Sequence, residues 1–288
     1  MKKKIVVTGA NGQLGSELRD LLAGNITYES VFLDVNELDL TDTDSIQERL
    51  SSYAPDIIIH GAAYTAVDKA ESEQELSDKI NHLATAEIAK YCASHGCKLI
   101  AISTDYVFDG NSSIALTEDA AVDPINVYGK TKLDGELAIQ RILSDAIIVR
   151  TAWVYSVYGN NFVKTMIRLM SEREELSVIN DQIGSPTYAR DLARALVKIV
   201  ESNSWTAGIY HYSNEGEISW FDFAEAIRAI AGLNCQIHPI PSTSYPTPAK
   251  RPKYSLLNKG KIKDTYGVEV PDWRASLQEM ISALQQTN

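Results

Sequence analysis

Short apolar runs punctuate the first half of the chain, and amphipathic or polar stretches separate them. Lys4–Thr8 is β-branched, and its core Ile5-Val6-Val7 predicts a first buried strand. Gly12–Ala23 predicts a helix that begins at a glycine-rich turn. Ser30–Asp34 predicts a second strand and Thr43–Ser52 a polar helix. Pro55 breaks the chain before Asp56–His60, whose Ile57-Ile58-Ile59 predicts a buried parallel strand. Lys79–Ser94 predicts a helix ending near Gly96, Lys98–Ser103 a fourth strand, Tyr128–Ile142 a helix and Ala146–Arg150 a fifth strand. Strands alternating with helices imply right-handed βαβ units, so the expected class is α/β with a doubly wound parallel sheet of Rossmann type.

The alternation loosens after about residue 154. Asn161–Ser171 and Ala189–Glu201 predict helices, and Leu176–Ile179 and Gly208–Tyr212 predict short strands. Ser219–Ala231 predicts a helix capped by Ser219, with Asp222 at its third position. Ile237–Pro252 holds five of the nine prolines and is expected to be extended or looped. Pro271–Gln286 predicts a terminal helix. The expected division is a nucleotide domain over 1–154 and a smaller α/β substrate-binding lobe over 155–288, with segments of the second half returning to the first domain.

Composition narrows the function. The net charge is −11, which argues against a general nucleic-acid binder because phosphate backbones demand a basic footprint. No run of 18 apolar residues is present, so no membrane span is expected. The charged start, Met1-Lys2-Lys3-Lys4, mimics a signal peptide. The apolar run after it is short and enters the glycine turn, so a first strand is the better reading. Three cysteines, Cys92, Cys97 and Cys235, suit a reducing cytoplasm rather than a disulfide framework. Cys92, His95 and Cys97 lack zinc spacing and read as a helix end and turn; no metal is expected.

Against this background several motifs carry chemistry. Tyr128 and Lys132 stand four apart, on one face of the predicted helix. An ammonium beside a phenol favours the phenolate, so the tyrosine pKa is expected to fall from its usual value of about 10. Gly9, Gly12 and Gly15 follow a strand and open a helix, as a phosphate-binding turn requires. Their spacing is three and three rather than the commoner two and three, and an ordinary tight turn is the alternative. Asp34 lies 19 residues after Gly15, where a carboxylate can accept from ribose hydroxyls; it is otherwise a strand-end turn residue. Asp39 and Leu40 are candidates to lie against an adenine, or belong to a solvated loop. Gly61-Ala62-Ala63-Tyr64-Thr65 follows the third strand with small residues that admit a cofactor to the backbone, or is a plain strand exit. Thr104, leaving the fourth strand, can donate to an oxyanion, or simply caps that strand.

Glycine turn, Tyr-x-x-x-Lys helix and strand-four hydroxyl together resemble an extended short-chain dehydrogenase/reductase. Asn81-His82-Leu83-Ala84-Thr85 is similar to that superfamily's mid-helix asparagine motif. The ordered blocks 103–110, 127–132, 150–155, 159–162, 178–182 and 184–187, with Arg251-Pro252, resemble the dTDP-4-dehydrorhamnose reductase family over almost the whole chain. The resemblance implies reduction of the 4-keto group of dTDP-4-dehydro-L-rhamnose to dTDP-L-rhamnose, a cell-surface polysaccharide precursor, with NADPH or NADH. It implies Tyr128 as proton donor, Lys132 as its tuner and a ligand of the nicotinamide ribose, and Thr104 on the substrate carbonyl. Gly9, Asn11, Gly12, Gln13, Leu14, Asp34, Asp39, Leu40, Ala62, Ala63, Tyr64 and Thr65 would contact the cofactor, and Asp105 and Trp153 the sugar. Without the resemblance Trp153 reads as a core aromatic. Some members hold a divalent ion between subunits. Glu17 would suit such a site, but Arg190 stands where an acidic ligand is wanted and would repel the ion.

The basic residues of the second half point to a ligand independently of the family. Lys250, Arg251, Lys253, Lys259, Lys261 and Lys263 fall within residues 250–263, with no acid among them. A pyrophosphate-bearing substrate needs such charge, and Arg251 is the best candidate because a guanidinium binds phosphate bidentately. A solvated face is the alternative for the later lysines. Two other functions remain open: reduction of another nucleotide 4-keto-6-deoxysugar, and a non-catalytic cofactor-binding subunit similar to the regulatory subunit of methionine adenosyltransferase. The intact Thr104, Tyr128 and Lys132 set favours an enzyme. No nucleic-acid or membrane partner is expected, and the chain is read as a monomer or homodimer.

Overall fold

The computed structural model describes residues 2–286; Met1, Thr287 and Asn288, at the ends of the two expected domains, lie outside the described residues. The first half builds β1 (Lys3–Thr8), α1 (Gln13–Leu22), β2 (Tyr28–Leu33), α2 (Ile46–Tyr53), β3 (Ile57–His60), two short helices α3 (Val67–Ala70) and α4 (Gln74–Asp78), α5 (Ala84–His95), β4 (Lys98–Thr104), α6 (Val127–Ile142) and β5 (Ile147–Thr151). The second half adds β6 (Val154–Tyr155), α7 (Phe162–Glu172), β7 (Glu175–Ile179), β8 (Ile183–Gly184), β9 (Thr187–Tyr188), α8 (Ala189–Glu201), β10 (Gly208–Tyr212), β11 (Ile218–Ser219), α9 (Trp220–Ala231), β12 (Gln236–Ile240), α10 (Gly260–Tyr266) and α11 (Trp273–Gln286).

Six strands form one parallel sheet in the order β10-β5-β4-β3-β1-β2. The alternation of the first half therefore produces the Rossmann-type sheet it predicted. Fully buried strands such as Ile57–His60 explain the unbroken apolar runs, because helices cover both faces. Leu18 and Leu22 of α1, Leu192 and Leu196 of α8 and Ile262 of α10 pack on one face. Leu50 of α2, Ile88 of α5 and Ile139 of α6 pack on the other. The strand order reverses between β1 and β3, so their carboxyl ends open a crevice of the kind that binds ligands.

The second half divides between two cores. β10 pairs with β5 at the sheet edge, and α8 packs across α1. A separate core gathers Val163, Met166, Phe223, Ile227, Leu277 and Met280 from α7, α9 and α11 around the parallel β7–β12 pair. Helix α9 opens with a reciprocal cap: Ser219 Oγ accepts from Asp222 N at 3.1 Å, and Asp222 Oδ2 accepts from Ser219 N at 2.9 Å.

Some expected elements shift. Helix Lys79–Ser94 begins instead as a π-turn, Lys79–Leu83, between α4 and α5. Such turns are rare and often lie at functional sites, and this one contains Asn81. The proline-rich 237–252 stretch is extended at its start, where β12 pairs with β7, as expected of an extended or looped segment. The run of later lysines contains α10. Cys92 and His95 end α5, and Gly96 closes it in the left-handed region at φ 66°. All three cysteines are free and buried.

Helix α6 lies very close to its neighbours. A Cβ at Gly135 would sit 2.3 Å from Asn81 O. Gly135→Ala is therefore expected to destabilise the protein by about 1–3 kcal/mol through overpacking. Chemical denaturation measures it, and an unchanged midpoint would contradict the close approach.

Candidate active site

The parallel sheet brings the ends of β1, β3, β4 and β5 to one edge, and a cleft of about 680 Å³ opens there. Gly9, Gly12, Gln13, Leu14, Asp34, Ala62, Ala63, Thr65, Thr104, Asp105, Tyr128, Lys132 and Trp153 line it. These come from four strand ends, two helices and the glycine turn. A sequence separation of 183 residues, Gly9 to Leu192, collapses into one crevice.

The glycine turn is built for close approach. Gly9 has φ +72°, and a Cβ there would lie 2.8 Å from Ala62 Cα. A Cβ on Gly15 would lie 2.2 Å from Gly9 O, so α1 can start against the turn only with glycine there. The first turn of α1 has no capping side chain at Gly12. Its backbone N–H groups and dipole suit an anion such as a phosphate. Asp34 stands at the end of β2, its Oδ2 accepting from Asn11 N at 2.7 Å and its Oδ1 from Val35 N at 2.8 Å. Turn and carboxylate fit a dinucleotide: the turn would hold its phosphates and Asp34 a ribose.

Asn81 clamps the segment after β3. Its Oδ1 accepts from Tyr64 N at 2.8 Å, and its Nδ2 donates to Tyr64 O at 3.1 Å and to Thr131 Oγ1 at 3.2 Å. The strand exit is thereby tied to α6. Thr104, at the end of β4, accepts from Tyr106 N at 3.2 Å and donates to Asp105 Oδ1 at 3.1 Å. Asp105 is buried, and burial pushes its carboxyl up to about 6, against the Ser255 and Thr104 hydroxyls.

Tyr128 and Lys132 project from α6 into the cleft. Tyr106 meets the Tyr128 ring edge-on at 5.6 Å between centroids. Burial pushes the Tyr128 phenol up to about 12; Thr104 lowers it and Asp105 raises it further. The expected fall is not found. The Lys132 ammonium donates to Ile102 O at 2.7 Å, and burial pulls Lys132 itself down to about 8. Desolvation is the largest influence on both groups.

Trp153 is no ordinary core aromatic. Its backbone has φ +49°, a region bulky residues avoid, and its indole stacks on Trp220 at 3.7 Å. The strained turn after β5 sets that ring in the cleft wall.

Other expected residues lie elsewhere. Asn11 N is held by Asp34, outside the cleft lining. Asp39 accepts from Thr41 N and Oγ1 at 2.8 and 2.7 Å, and Leu40 is packed in the core with Leu33 and Ile46; neither lines the cleft. The Tyr64 hydroxyl turns to Glu73. Arg251 lines a neighbouring cavity of about 440 Å³ with Lys250, Lys253, Gln182 and Tyr245. There it pairs with Asp68, Nη1 to Oδ1 at 3.1 Å and Nη2 to Oδ2 at 2.8 Å. The later lysines separate from it: Lys259 and Lys263 pair with Glu215, and Lys261 donates to Ile209 O. The buried Glu17 accepts from Ser156 Oγ at 2.6 Å and pairs with Arg190 at 3.4 Å. Asp78, His82 and Asp134 place ligand atoms within 4.8 Å of one another, and none of the three lines the cleft.

Sequence reasoning missed Val67, Gly159, Asn160 and Leu192 as lining residues and Asp68 as the partner of Arg251. Leu192 carries no local signal, since it reaches the cleft only because α8 crosses back onto α1. Asn160 was within reach: its neighbour Asn161 caps α7 and donates to Gln13 Oε1 at 3.0 Å, joining that segment to the glycine turn.

Known proteins share this architecture. The dTDP-4-dehydrorhamnose reductase of Aggregatibacter actinomycetemcomitans is 40% identical over 287 residues, 96% of this chain and 98% of its own. The crystal structure of a dTDP-4-dehydrorhamnose reductase from Clostridium acetobutylicum matches with a TM-score of 0.94 at 41% identity, covering 98% of this chain and 99% of that one. A dTDP-4-dehydrorhamnose reductase from Bacillus anthracis, solved in complex with NADP, also gives 0.94 at 40% identity, covering 98% and 100%. The family described as RmlD substrate binding domain matches residues 2–286. With fold, cleft and nearly full-length similarity in agreement, the chain belongs to the RmlD substrate binding domain family.

Proposed function

We propose that this protein reduces the 4-keto group of dTDP-4-dehydro-L-rhamnose to give dTDP-L-rhamnose. It is an oxidoreductase that uses NADPH or NADH. The observation that carries the reading is one cleft holding the glycine turn, Thr104, Tyr128 and Lys132 together. A non-catalytic cofactor-binding subunit would have no need of that set.

Bound NAD(P)H supplies the hydride that arrives at the sugar C4. The chain's own groups do the rest. A phenol held near 12 stays protonated at neutral pH, and an alkoxide is the stronger base, so Tyr128 gives its proton to the forming C4 oxyanion. Thr104 donates a hydrogen bond to the same oxygen, and the Lys132 ammonium adds positive charge behind it. Trp153 and Asp105 hold the sugar. Arg251, with Lys250 and Lys253, takes the pyrophosphate in the adjoining cavity, in exchange for or alongside Asp68. Among the described residues no helix is long and apolar enough to cross a membrane.

The decisive experiment is cofactor oxidation followed against a panel of nucleotide 4-ketosugars, in which dTDP-4-dehydro-L-rhamnose should turn over fastest. Tyr128→Phe should lower turnover by at least roughly a hundredfold and leave cofactor affinity nearly intact, because only the proton is lost. Near-normal turnover would remove Tyr128 from the chemistry. Asp34→Ala should raise the kcat/KM ratio of NADPH over NADH, since a ribose acceptor and a repulsion against the 2′-phosphate both disappear. An unchanged ratio would place Asp34 outside the cofactor site. Arg251→Ala should raise KM for the nucleotide sugar about tenfold to a hundredfold with little change in kcat. A pyrophosphate remote from C4 is held equally in ground and transition states, and a charged hydrogen bond is worth about 1.5–3 kcal/mol. Weakened cofactor binding with an unaltered sugar KM would put the substrate in the wrong lobe.

A further inference from the structure

Behind the cleft lies a buried charge pair that touches neither the reacting carbonyl nor the cofactor turn. Glu136 stands one turn beyond Lys132 on α6, and its side chain is 2% exposed; Arg150 on β5 is 3% exposed. Arg150 Nε donates to Glu136 Oε1 at 2.9 Å and Nη2 donates to Oε2 at 2.7 Å. Ser103 Oγ also donates to Oε1. The guanidinium rests on the Phe108 ring, 5.1 Å from its centroid. The carboxylate is therefore fixed from two strands.

The same strand holds the neighbouring rung of the helix. Lys132 donates to Ile102 O at 2.7 Å, and the next residue, Ser103, holds Glu136. Lys132 and Glu136 also line one small void of about 10 Å³ with His60, Asn81 and Thr85. We propose that Glu136 is a positioning residue of the reductase, a carboxylate locked by Ser103 and Arg150 that keeps the Lys132 ammonium charged and in place one turn behind Tyr128. This rests on the assignment of Tyr128 and Lys132 to the reduction.

The electrostatics agree with the geometry. Burial pulls Lys132 down to about 8, and Glu136 is the group that opposes it. Other titratable or charged groups on the elements around Lys132 include Tyr128 on its own helix, His60 on β3, Asp105 just past β4 and Arg150 on β5; Asp134 on the same helix gathers with Asp78 and His82 in a separate, partly exposed cluster. His60 is neutral, held to about 3 by burial and by Lys132 itself. It bonds only to hydroxyls, Thr8 Oγ1 at 2.7 Å and Thr85 Oγ1 at 3.1 Å. Asp105 and Tyr128 interact instead at the cleft mouth. Arg150 turns its guanidinium to Glu136, and the influences on Lys132 are burial and Glu136 alone. Removing the carboxylate should thus lower the Lys132 pKa further, so the ammonium is lost at lower pH.

The test is the pH profile of kcat for the whole enzyme with saturating NADPH. The wild type should lose activity on an alkaline limb. Glu136→Gln keeps the shape of the side chain and its contact with Ser103, and should move that limb at least one pH unit towards acid, with near wild-type turnover recovered at pH 6. The double variant E136Q/R150M removes both buried charges and guards against failure of the single variant to fold. It should still show the displaced limb, because Lys132 again lacks its counter-charge. A double variant with the wild-type limb, or a wild type with no alkaline limb, overturns the proposal, since a purely structural pair would lower activity evenly at every pH. Lys132→Met separates the two levels of the argument. If it abolishes turnover while the limb stays unmoved in E136Q/R150M, only the role of Glu136 falls. If Lys132→Met turns over normally, the underlying assignment falls with it.

Discussion

Everything in the cleft depends on how closely α6 can lie against the elements that carry its partners. A Cβ on Gly129 would come within 2.1 Å of Tyr106 O, and one on Gly135 within 2.3 Å of Asn81 O. Both are backbone contacts, which cannot move aside as a flexible side chain can. Two glycines on one helix therefore let Tyr128 and Lys132 reach the end of β4. Asn126 caps the helix start, accepting from Gly129 N at 2.8 Å, and also donates to Lys250 O at 2.7 Å. Helix α6 is thus joined at its first turn to the segment that carries Arg251. The conformational cost of glycine in a helix, about 1 kcal/mol each relative to alanine, is offset by that approach.

Close packing then sets the electrostatics. Phenol, ammonium and the Asp105 carboxyl are all removed from water, and in each case burial is the largest influence on the pKa. It favours the neutral form every time: phenol and carboxyl rise, and the ammonium falls. A tyrosine that gives up a proton during reduction gains from being held protonated. A lysine that must remain charged does not. The two needs meet in one desolvated place, and a fixed carboxylate on the far side of the lysine reconciles them.

The two halves of the chain are tied across the crevice by polar contacts. Asn161 reaches Gln13, Ser156 reaches Glu17, and Asp68 pairs with Arg251. Strand β10 extends the sheet itself. The Asp68–Arg251 pair is partly exposed, so it contributes modestly to stability, and its guanidinium remains open to exchange for a phosphate. The buried Glu17 has its pKa raised by desolvation, and Ser156 and Arg190 partly offset this.

Local pattern alone determined the parallel sheet, the glycine turn, the spacing of Tyr128 and Lys132, and the capped start of α9. Each follows from neighbours within a few residues: unbroken apolar runs for buried strands, period 3.6 for helices, and a serine three residues before an aspartate. The direction of the tyrosine shift, the company of Arg251 and the burial of Leu40 did not follow. A sequence shows that a lysine shares a face with a tyrosine. It does not show that a carbonyl of β4 takes the ammonium, or how much water remains. The basic run from 250 to 263 reads as one patch, yet only its first part lines a cavity, because α10 carries Lys261 and Lys263 to Ile209 O and Glu215. Glu136 and Arg150 lie fourteen residues apart and give no local sign of each other. They meet because the helix lies across its strand, and desolvation, which tertiary packing alone sets, makes that meeting matter to the charge on Lys132.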